Sequence, residues 1–561
     1  MTESENSPLS SENSPLSEVG PGQPEGLSGG HPEPVMPVPL PAAPPAVPIG
    51  GGERLAALDL LRGFALCGIL LMNIVNFAWP GGAYTNPNHP YFALDSIGEV
   101  PDPEVLEKKI AEEEKDLNRR QKDLKRLERE AETKPVWSGG ELRWCAISST
   151  ADIVEYEFAH LLVENKMRTL FSMLFGAGVV LMADHTRGKK SKPGWLHYRR
   201  MFWLLVIGAL HGYLLWTGDI LFAYASVGLL LYPLRRWRAR WLLLFGMGLF
   251  ACPLLIAWFA SPVVEWVRER GRAVAQTLPT PAIGKEAVIA QPHPENTVPD
   301  STDTVAEEDI HWMDGLFLQG FRTLESNRRG GTKPESVTRD IRMHQTQGYL
   351  ASVVERFWEM IWAQLAELCL VGFLGMGWPM VLGMGLMKLG FLSGGWRTAT
   401  YGRVAIVGYG LGIPACWFAE LYGLGGGSNL ADTTRLIFPL ESCAMLLVTL
   451  ANASTVLWLW QTGRLGWVAD RLGAAGRMAL SNYLFDSLAC TLIFAGFGLG
   501  LYGTVPRVGL AGLVVAIWVM QLLFSPWWLA RYRFGPVEWL WRSLTYWRLQ
   551  PMRVAVSPAS V

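Results

Sequence analysis

The chain has 561 residues, of which 50% are hydrophobic, and it carries 25 tryptophans and a formal net charge of -1 at pH 7. A net charge near zero argues against a protein that binds nucleic acid through a basic surface, and apolar residues gathered in long blocks argue against a large soluble enzyme. The seven cysteines form no CxxC pair, so neither a disulfide framework nor a metal site is indicated.

The first predicted segment is a disordered cytoplasmic tail over residues 1–52. It repeats the heptapeptide SENSPLS at Ser4–Ser10 and Ser11–Ser17 and then becomes rich in proline and glycine. Such a composition buries too little apolar surface to fold. The tail has no basic start followed by an apolar run, so no signal peptide is predicted.

Long apolar segments dominate the rest of the chain, and segments of roughly 17–25 apolar residues can cross a bilayer. The sequence therefore predicts an all-α polytopic membrane protein, a bundle of about ten (nine to eleven) transmembrane helices without a strand-rich domain. The predicted spans are Leu60–Ala78, Thr169–Ala183, Phe202–Trp216, Ile220–Leu234, Trp241–Phe259, Cys369–Met387, Ala405–Tyr422, Leu436–Trp460, Leu480–Leu501 and Val508–Ala530.

Clusters of lysine and arginine between the spans predict their direction, because such clusters accumulate on the cytoplasmic side of a membrane. Arg187–Arg200 and Arg235–Arg240 are both strongly basic, and two spans joined by the turn Trp216–Asp219 fit between them. The later basic clusters fall on the same side in a ten-span arrangement. Both termini are therefore predicted to be cytoplasmic.

The predicted spans form two halves with polar segments on the outer side. The N-terminal half covers residues 53–260 and holds an insertion at 97–150. A polar extracytoplasmic loop covers residues 261–350, and the C-terminal half covers residues 351–548, ending in an amphipathic, tryptophan-rich tail.

Two stretches of these segments have open interpretations. In Asp102–Lys134, Ile110, Leu117 and Leu124 recur every seven residues, which predicts either a solvated amphipathic helix or a coiled-coil arm. Val353–Leu368 carries four charged side chains, which favours an interfacial helix over an eleventh span.

Ionisable and amide side chains inside the predicted spans are candidates for function, because they are costly in lipid unless they face the bundle interior. Asp59 and Arg62 are three residues apart, hence on one face of the first helix, where they can pair. Asn73 lies nearer the outer end of the same helix. Arg168 opens the second span, where it can meet an anionic group or anchor the helix at the interface.

The third span carries His211, about five residues from its predicted outer end, and Asp219 begins the next span across a tight turn. A carboxylate beside an imidazole fixes its tautomer and raises its basicity, so this pair is predicted to act as a general base. The alternative is a buried histidine that bonds a backbone carbonyl.

The C-terminal half contributes Asn482 and Tyr483 within a span and Glu538 and Arg542 in the tail. Glu538 and Arg542 are four residues apart, in the favourable order for a helical ion pair.

Five separated pieces of the sequence together resemble the YeiB-type family of bacterial membrane proteins, whose C-terminal half is known as domain of unknown function 418. The pieces are Arg54-x4-Asp59-x2-Arg62 with Asn73, Thr169–Gly178, His211-Gly212 with Gly218–Leu221 and Tyr224, Gly476–Tyr483 with Ser487, and Phe534-Gly-Pro-x-Glu538-x3-Arg542. The family is grouped with transmembrane acyltransferases. The resemblance therefore implies an enzyme of the bacterial cytoplasmic (inner) membrane that moves an acyl group, usually acetyl, from coenzyme A to an extracytoplasmic acceptor.

On this interpretation acetyl-CoA is a co-substrate, and no cofactor is bound covalently. The donor would enter near Asp59 and Arg62, and His211, oriented by Asp219, would deprotonate an acceptor hydroxyl or amine. Asn73 or Asn482 would bond the oxyanion. The other polar residues assigned to the bundle interior or to substrate binding are Arg168, Tyr224, Tyr483, Glu538 and Arg542.

Two other functions fit the same residues. A transporter would use the buried polar groups to line a solute path, but the sequence shows no inverted repeat of the kind that many transporters have. A membrane scaffold or sensor would use the charged arm to hold a partner. The expected partners are the lipid bilayer, an acyl donor and an acceptor, but no nucleic acid, and the sequence leaves open whether the chain forms a homo-oligomer.

Overall fold

Helices make up the regular structure of the chain wherever the computed structural model describes it, apart from an isolated bridge between Tyr532 and Arg553. The described residues are 56–80, 150–185, 193–277, 341–368, 372–424 and 433–554. The tail 1–52, the predicted arm Asp102–Lys134 and most of the loop 261–350 lie outside them. The predicted helical fold class is thus confirmed for the described residues.

The α-helices, numbered in chain order, are α1 Ala56–Ala78, α2 Thr150–Phe158, α3 Lys166–His185, α4 Pro193–Leu214, α5 Leu221–Leu231, α6 Ala239–Thr277, α7 Tyr349–Leu368, α8 Trp378–Lys388, α9 Thr398–Leu424, α10 Phe438–Gln461, α11 Gly466–Arg477, α12 Ala479–Phe494, α13 Arg507–Leu529 and α14 Pro536–Tyr546. Short π-helical turns at Ala159–Val163, Phe373–Gly377 and Thr433–Ile437 precede or join some of them.

Five helices among the described residues are long and apolar enough to cross a membrane. They lie at Ala56–Ala78, Ala239–Val274, Thr398–Tyr422, Thr433–Gln461 and Arg507–Leu529. A sixth candidate combines α7 with Phe373–Lys388, and the two parts are bent by 64° where they meet. The chain is thus a multi-pass membrane protein, although the helix lengths support only about half of the ten predicted spans.

The remaining predicted spans are shorter or more polar than a hydropathy window suggests. The span predicted at Ile220–Leu234 is α-helical only over Leu221–Leu231, because Pro233 follows and the chain tightens into a 3-10 turn. The span predicted at Leu480–Leu501 ends as a helix at Phe494. In the opposite direction, α6 continues to Thr277, past the predicted start of the polar loop at residue 261.

Helix α1 lies at the centre of the bundle. Of its most apolar stretch 72% is buried, against 17% for α6, whose large side chains such as Leu255 and Phe259 are exposed as expected for a lipid-facing helix. Helix α1 packs against α3, α11 and α12, so polar groups on α1 face the protein and not the lipid.

Two pairs of glycines bring helices into backbone contact around this centre. A Cβ atom at Gly63 of α1 would overlap the carbonyl oxygen of Leu472 of α11, and one at Gly476 would overlap that of Asp59. Gly176 of α3 and Gly383 of α8 lie against one another's helix backbones in the same way. Small residues at these crossings therefore let the helix backbones approach closely.

We expect Gly476→Ala to lower the melting temperature of the detergent-purified protein, because the added methyl group forces α1 and α11 apart at a cost of about 1–3 kcal/mol. Gly473→Ala is the matched control on the same helix, since no atom lies within 4 Å of its added Cβ. That variant should be neutral or stabilising because alanine favours a helix. Equal melting temperatures for the two variants would contradict this account of the crossing.

Candidate active site

A cavity of about 200 Å³ opens among the ends of several helices beside α1. Its walls come from the N-terminal half of α1, from α3 and the start of α4, from the start of α5, from the junction of α11 and α12, and from α14. These elements lie far apart in the sequence, so the cavity is a product of the tertiary fold.

One end of the cavity is strongly basic. Arg62, Arg200, Arg477 and Arg542 all line it. This is the end at which α3 finishes and α4 begins, beside the basic connection that the sequence assigns to the cytoplasm. A glycine makes room for one of these groups, because a Cβ atom at Gly178 would lie 3.4 Å from Nη2 of Arg62.

Acidic groups accompany the arginines and hold parts of the wall in place. Arg62 donates to Asp59 over 3.1 Å, which is the pairing that their spacing indicates. Both oxygens of Glu538 accept bonds at the start of α12, from the backbone N–H groups of Leu480 at 2.7 Å and Ser481 at 3.1 Å and from the Ser481 hydroxyl. Burial raises the pKa of Glu538, although these donors oppose that shift.

Aromatic rings orient two of the arginines. The guanidinium of Arg200 lies 4.4 Å from the ring centre of Trp541, and that of Arg542 lies 4.6 Å from the ring centre of Phe534. Trp541 also donates from its indole to the carbonyl oxygen of Arg200 over 2.9 Å, which joins α14 to α4. Stacked guanidinium groups keep their donors in a fixed plane, as the recognition of phosphate requires.

The end of the cavity that lies towards the middle of the bundle is apolar apart from two tyrosines. Leu66, Ile69 and Phe171 line this part together with Tyr224 and Tyr483. The Tyr224 hydroxyl donates to the carbonyl oxygen of Arg168 over 3.2 Å and lies 2.8 Å from the Ser172 hydroxyl. The cavity thus combines a cationic entrance with an apolar interior.

The structure brings His211 and Asp219 together, as the sequence predicts. Nδ1 of His211 lies 2.7 Å from Oδ1 of Asp219, whose other oxygen accepts from the backbone N–H of Phe222 at 2.7 Å. Both side chains are almost fully buried, and Nε2 of His211 makes no hydrogen bond.

The His211–Asp219 pair does not itself line the cavity. The ring of Tyr483, which does, stands 5.2 Å from the imidazole of His211 between ring centres. Tyr483 is therefore a side chain that contacts both the cavity and the neighbourhood of His211.

Three of the candidate residues lie away from the cavity walls. Asn482 donates to the carbonyl oxygen of Ala475 and to the hydroxyl of Ser525, both at 3.2 Å, and so ties α12 to its neighbours. Arg168 is exposed and donates to Asn165 over 2.9 Å. Asn73 is half-buried further along α1. The oxyanion role predicted for Asn73 or Asn482 has no support from this cavity.

Three of the polar wall residues, Arg200, Arg477 and His197, are not among the site residues that the sequence predicts. Arg200 and Arg477 belong to basic clusters of the kind found at the cytoplasmic ends of spans. His197 precedes the predicted span Phe202–Trp216 and bonds the carbonyl oxygen of Gly228 through Nε2 at 2.9 Å. Burial, with the charges of Arg200 and Arg235, lowers its pKa to about 4, so the imidazole is neutral near pH 7.

Comparisons with known proteins place this site in a family context. Residues 386–548 match the family described as "Protein of unknown function (DUF418)". The chain is 27% identical to the uncharacterized protein YxaH of Bacillus subtilis over 506 residues, which cover 89% of this chain and 96% of that protein. It is 26% identical to the uncharacterized protein YeiB of Escherichia coli over 504 residues, or 88% and 96% of the two chains. No solved structure matches.

These matches confirm the sequence-based resemblance to YeiB-like proteins with a DUF418 domain. The segment that matches the family runs from the end of α8 to just beyond α14. It therefore contains the wall residues Arg477, Tyr483, Glu538 and Arg542, which form one side of the cavity.

Proposed function

We propose that this protein is a transmembrane acyltransferase that takes an acyl group from a coenzyme A thioester at its basic end and passes it to an acceptor at the opposite end. The observation that carries the proposal is the cavity, which is cationic where α3 gives way to α4 and apolar towards the middle of the bundle. Acyl-CoA has the complementary design, with phosphates at one end and a thioester on a thin, weakly polar arm at the other.

The size of the cavity fits part of such a donor. Pockets that enclose a whole drug-sized ligand measure about 300–1,000 Å³, whereas this one measures about 200 Å³. It therefore has room for the acyl group and the adjoining arm, while the nucleotide stays at the mouth. There the guanidinium groups of Arg200, Arg477 and Arg542 can bind phosphate oxygens through charge-assisted hydrogen bonds.

The buried pair of His211 and Asp219 enters the proposal through Tyr483. Nε2 of His211 is buried without a hydrogen-bond partner, and an unsatisfied polar atom of this kind is costly unless a function retains it. In the proposed arrangement the Tyr483 hydroxyl bridges His211 and the thioester. In this arrangement Asp219 fixes the imidazole tautomer, and His211 exchanges a proton with the reacting group through the tyrosine.

The test uses the purified full-length protein and acetyl-CoA that carries a radiolabel on the acetyl group. We expect saturable binding of acetyl-CoA and slow release of free coenzyme A, since water can serve as an acceptor. Absence of both binding and thioester cleavage would overturn the proposal. Solute flux in proteoliposomes without any acyl chemistry would instead assign the cavity to a transporter.

A further inference from the structure

A second imidazole–carboxylate pair lies outside the cavity described above. Nδ1 of His160 is 2.7 Å from Oε2 of Glu164, four residues later. His160 belongs to the π-helical turn Ala159–Val163, and Asn165 just beyond it has a left-handed backbone conformation (φ 56°). Both features are uncommon in ordinary helices and occur often at functional sites.

A small cavity of about 20 Å³ adjoins this pair. His160 and Glu164 line it together with Glu155, Arg507 and Met72. A volume above about 10–15 Å³ holds one water molecule, so a hydroxyl or amine group of similar size fits beside the imidazole. The side chain of His160 is 16% exposed, against 1% for His211, which makes His160 the more accessible base.

Charged groups from several elements surround the imidazole. Oε2 of Glu420, on α9, lies 3.7 Å from Nε2 of His160, and the Glu420 side chain is only 5% exposed. Lys166, at the start of α3, donates to the carbonyl oxygen of His160 over 2.5 Å. Arg507 pairs with Glu155 over 3.2 Å on the other side of the cavity. The carboxylates are well placed to stabilise a protonated imidazole.

The two cavities follow one another along α1. Leu66 and Ile69 line the large cavity, and Met72 and Val75 line the small one. Ile69 and Met72 are three residues apart on one face of the helix, which corresponds to about 4.5 Å along its axis. The side chain of Met167 packs against Gly68 at this level. Successive turns of α1 therefore line the two cavities, and the Met167 side chain lies at the level between them.

We propose that the small cavity is the acceptor site and that His160 is the general base for a hydroxyl- or amine-bearing acceptor that enters from this end. The inference rests on the proposed acyltransferase function and names the base on its acceptor side. It assigns the acceptor's proton to His160 in place of His211.

The groups already described account for every bond and proton of the proposed reaction. When the unbranched, flexible side chain of Met167 moves aside and joins the two cavities, the acceptor oxygen or nitrogen forms a bond to the acyl carbon as the carbon–sulfur bond of the thioester breaks. Nε2 of His160 takes the acceptor's proton, while Glu164 holds Nδ1–H and Glu420 faces the new positive charge. The thiolate of coenzyme A leaves through the basic cavity and gains a proton by way of Tyr483 from the protonated form of His211, which water then reprotonates, or directly from water at the mouth. His160 then returns its proton to solvent.

The surroundings of His160 also predict a pH dependence. Burial lowers its pKa, but Glu164 and Glu420 outweigh burial, so the pKa is raised above 6.5; Lys166 opposes them. Tyr156 and Glu157 face the same group from α2, and Arg507 from α13. Since only the neutral imidazole accepts a proton, the transfer rate should rise with pH through a midpoint above 6.5.

The experiment measures acetyl transfer from radiolabelled acetyl-CoA to ethanolamine, which offers both a hydroxyl and an amine, and measures acetyl-CoA binding in parallel. For His160→Gln we expect transfer to fall by about 100-fold or more while acetyl-CoA binds as in the parent protein. For Glu164→Gln the increase of the transfer rate with pH should occur at lower pH, because the carboxylate that raises the pKa of His160 is lost. His344→Gln is the control, since this histidine stacks on Tyr502 away from both cavities.

Each outcome bears on one of the two proposals. Parent-like transfer in His160→Gln would overturn the acceptor site while leaving the donor site intact, and so would an unchanged pH profile in Glu164→Gln. Failure of the parent protein to bind acetyl-CoA would overturn the proposed function instead. Melting temperatures of the variants separate a loss of fold from a loss of chemistry.

Discussion

Asp219→Ala is expected to lower the melting temperature of the purified protein markedly. The carboxylate of Asp219 is fully buried and bonds both Nδ1 of His211 and the backbone N–H of Phe222. Alanine leaves two buried donors without partners, and each such loss costs about 1–3 kcal/mol. It also opens a void at the turn between α4 and α5, where Gly208 already lies against the backbone of Phe222.

Asp219→Asn separates the structural role of this carboxylate from its proposed chemical role. The amide oxygen can still accept from Phe222, so the melting temperature should stay close to that of the parent. The amide nitrogen then faces Nδ1 of His211, and the protonated imidazole that would supply the thiolate's proton loses its carboxylate partner. We therefore expect acetyl transfer to fall by at least ~10-fold, because general acid–base groups contribute about 10²–10⁴-fold.

The control for these variants is Asn482→Ala, which also removes buried hydrogen bonds but lies away from both cavities. It should lower the melting temperature without a specific effect on transfer per folded molecule. A normal transfer rate in Asp219→Asn would contradict any role of His211 in proton exchange and would leave the pair as a structural clamp between α4 and α5.

Local sequence spacing predicted the pairs that form within one helix or across one turn. Asp59 and Arg62, and His211 and Asp219, contact each other because three-residue and eight-residue separations are short enough for the backbone to fix. His160 and Glu164 have the same kind of spacing. The sequence could not show that Glu420 lies beside this third pair, because Glu420 belongs to α9, far away along the chain.

The cavity itself was not predictable from spacing. Glu538 reaches Ser481 across 57 positions of sequence, and Arg200 meets Trp541 across a still longer separation. Glu538 shows the consequence, because spacing suggested an ion pair with Arg542, whereas its oxygens accept bonds at the start of α12. Long-range packing determines such contacts, and they cannot be predicted from the residue spacing in a single sequence.

The predicted count of about ten spans is not confirmed, for a different reason. Hydropathy windows add up composition and do not register a break in the helix. The apolar run Cys369–Met387 contains the π-helical turn Phe373–Gly377, and α7 before it meets this region at 64°. Helices α3 and α4 have 20 and 22 residues but carry basic residues near their ends, so their uninterrupted apolar stretches are shorter than the helices themselves.

Replacing the basic residues at the cavity mouth should weaken donor binding strongly. Arg477→Gln and Arg542→Gln each remove a guanidinium group that lines the cavity. A hydrogen bond to a charged group contributes about 1.5–3 kcal/mol, so the Kd for acetyl-CoA should rise by about 10- to 100-fold for each variant. The matched control is Arg531→Gln, because Arg531 stacks on Trp527 at 4.4 Å and does not line the cavity.

A shorter donor shows whether these arginines act on phosphate. S-acetylpantetheine carries the thioester arm without the phosphates, so its weaker binding should be nearly the same in the parent, Arg477→Gln and Arg542→Gln proteins. The parent's preference for acetyl-CoA over S-acetylpantetheine should also decline as salt is added. Salt weakens the attraction between exposed charges, and the screening length is about 10 Å at 0.1 M ionic strength. If the two arginine variants lost affinity equally for both donors, the arginines would shape the cavity wall and would not bind phosphate. Only a phosphate contact distinguishes the two ligands at the mouth.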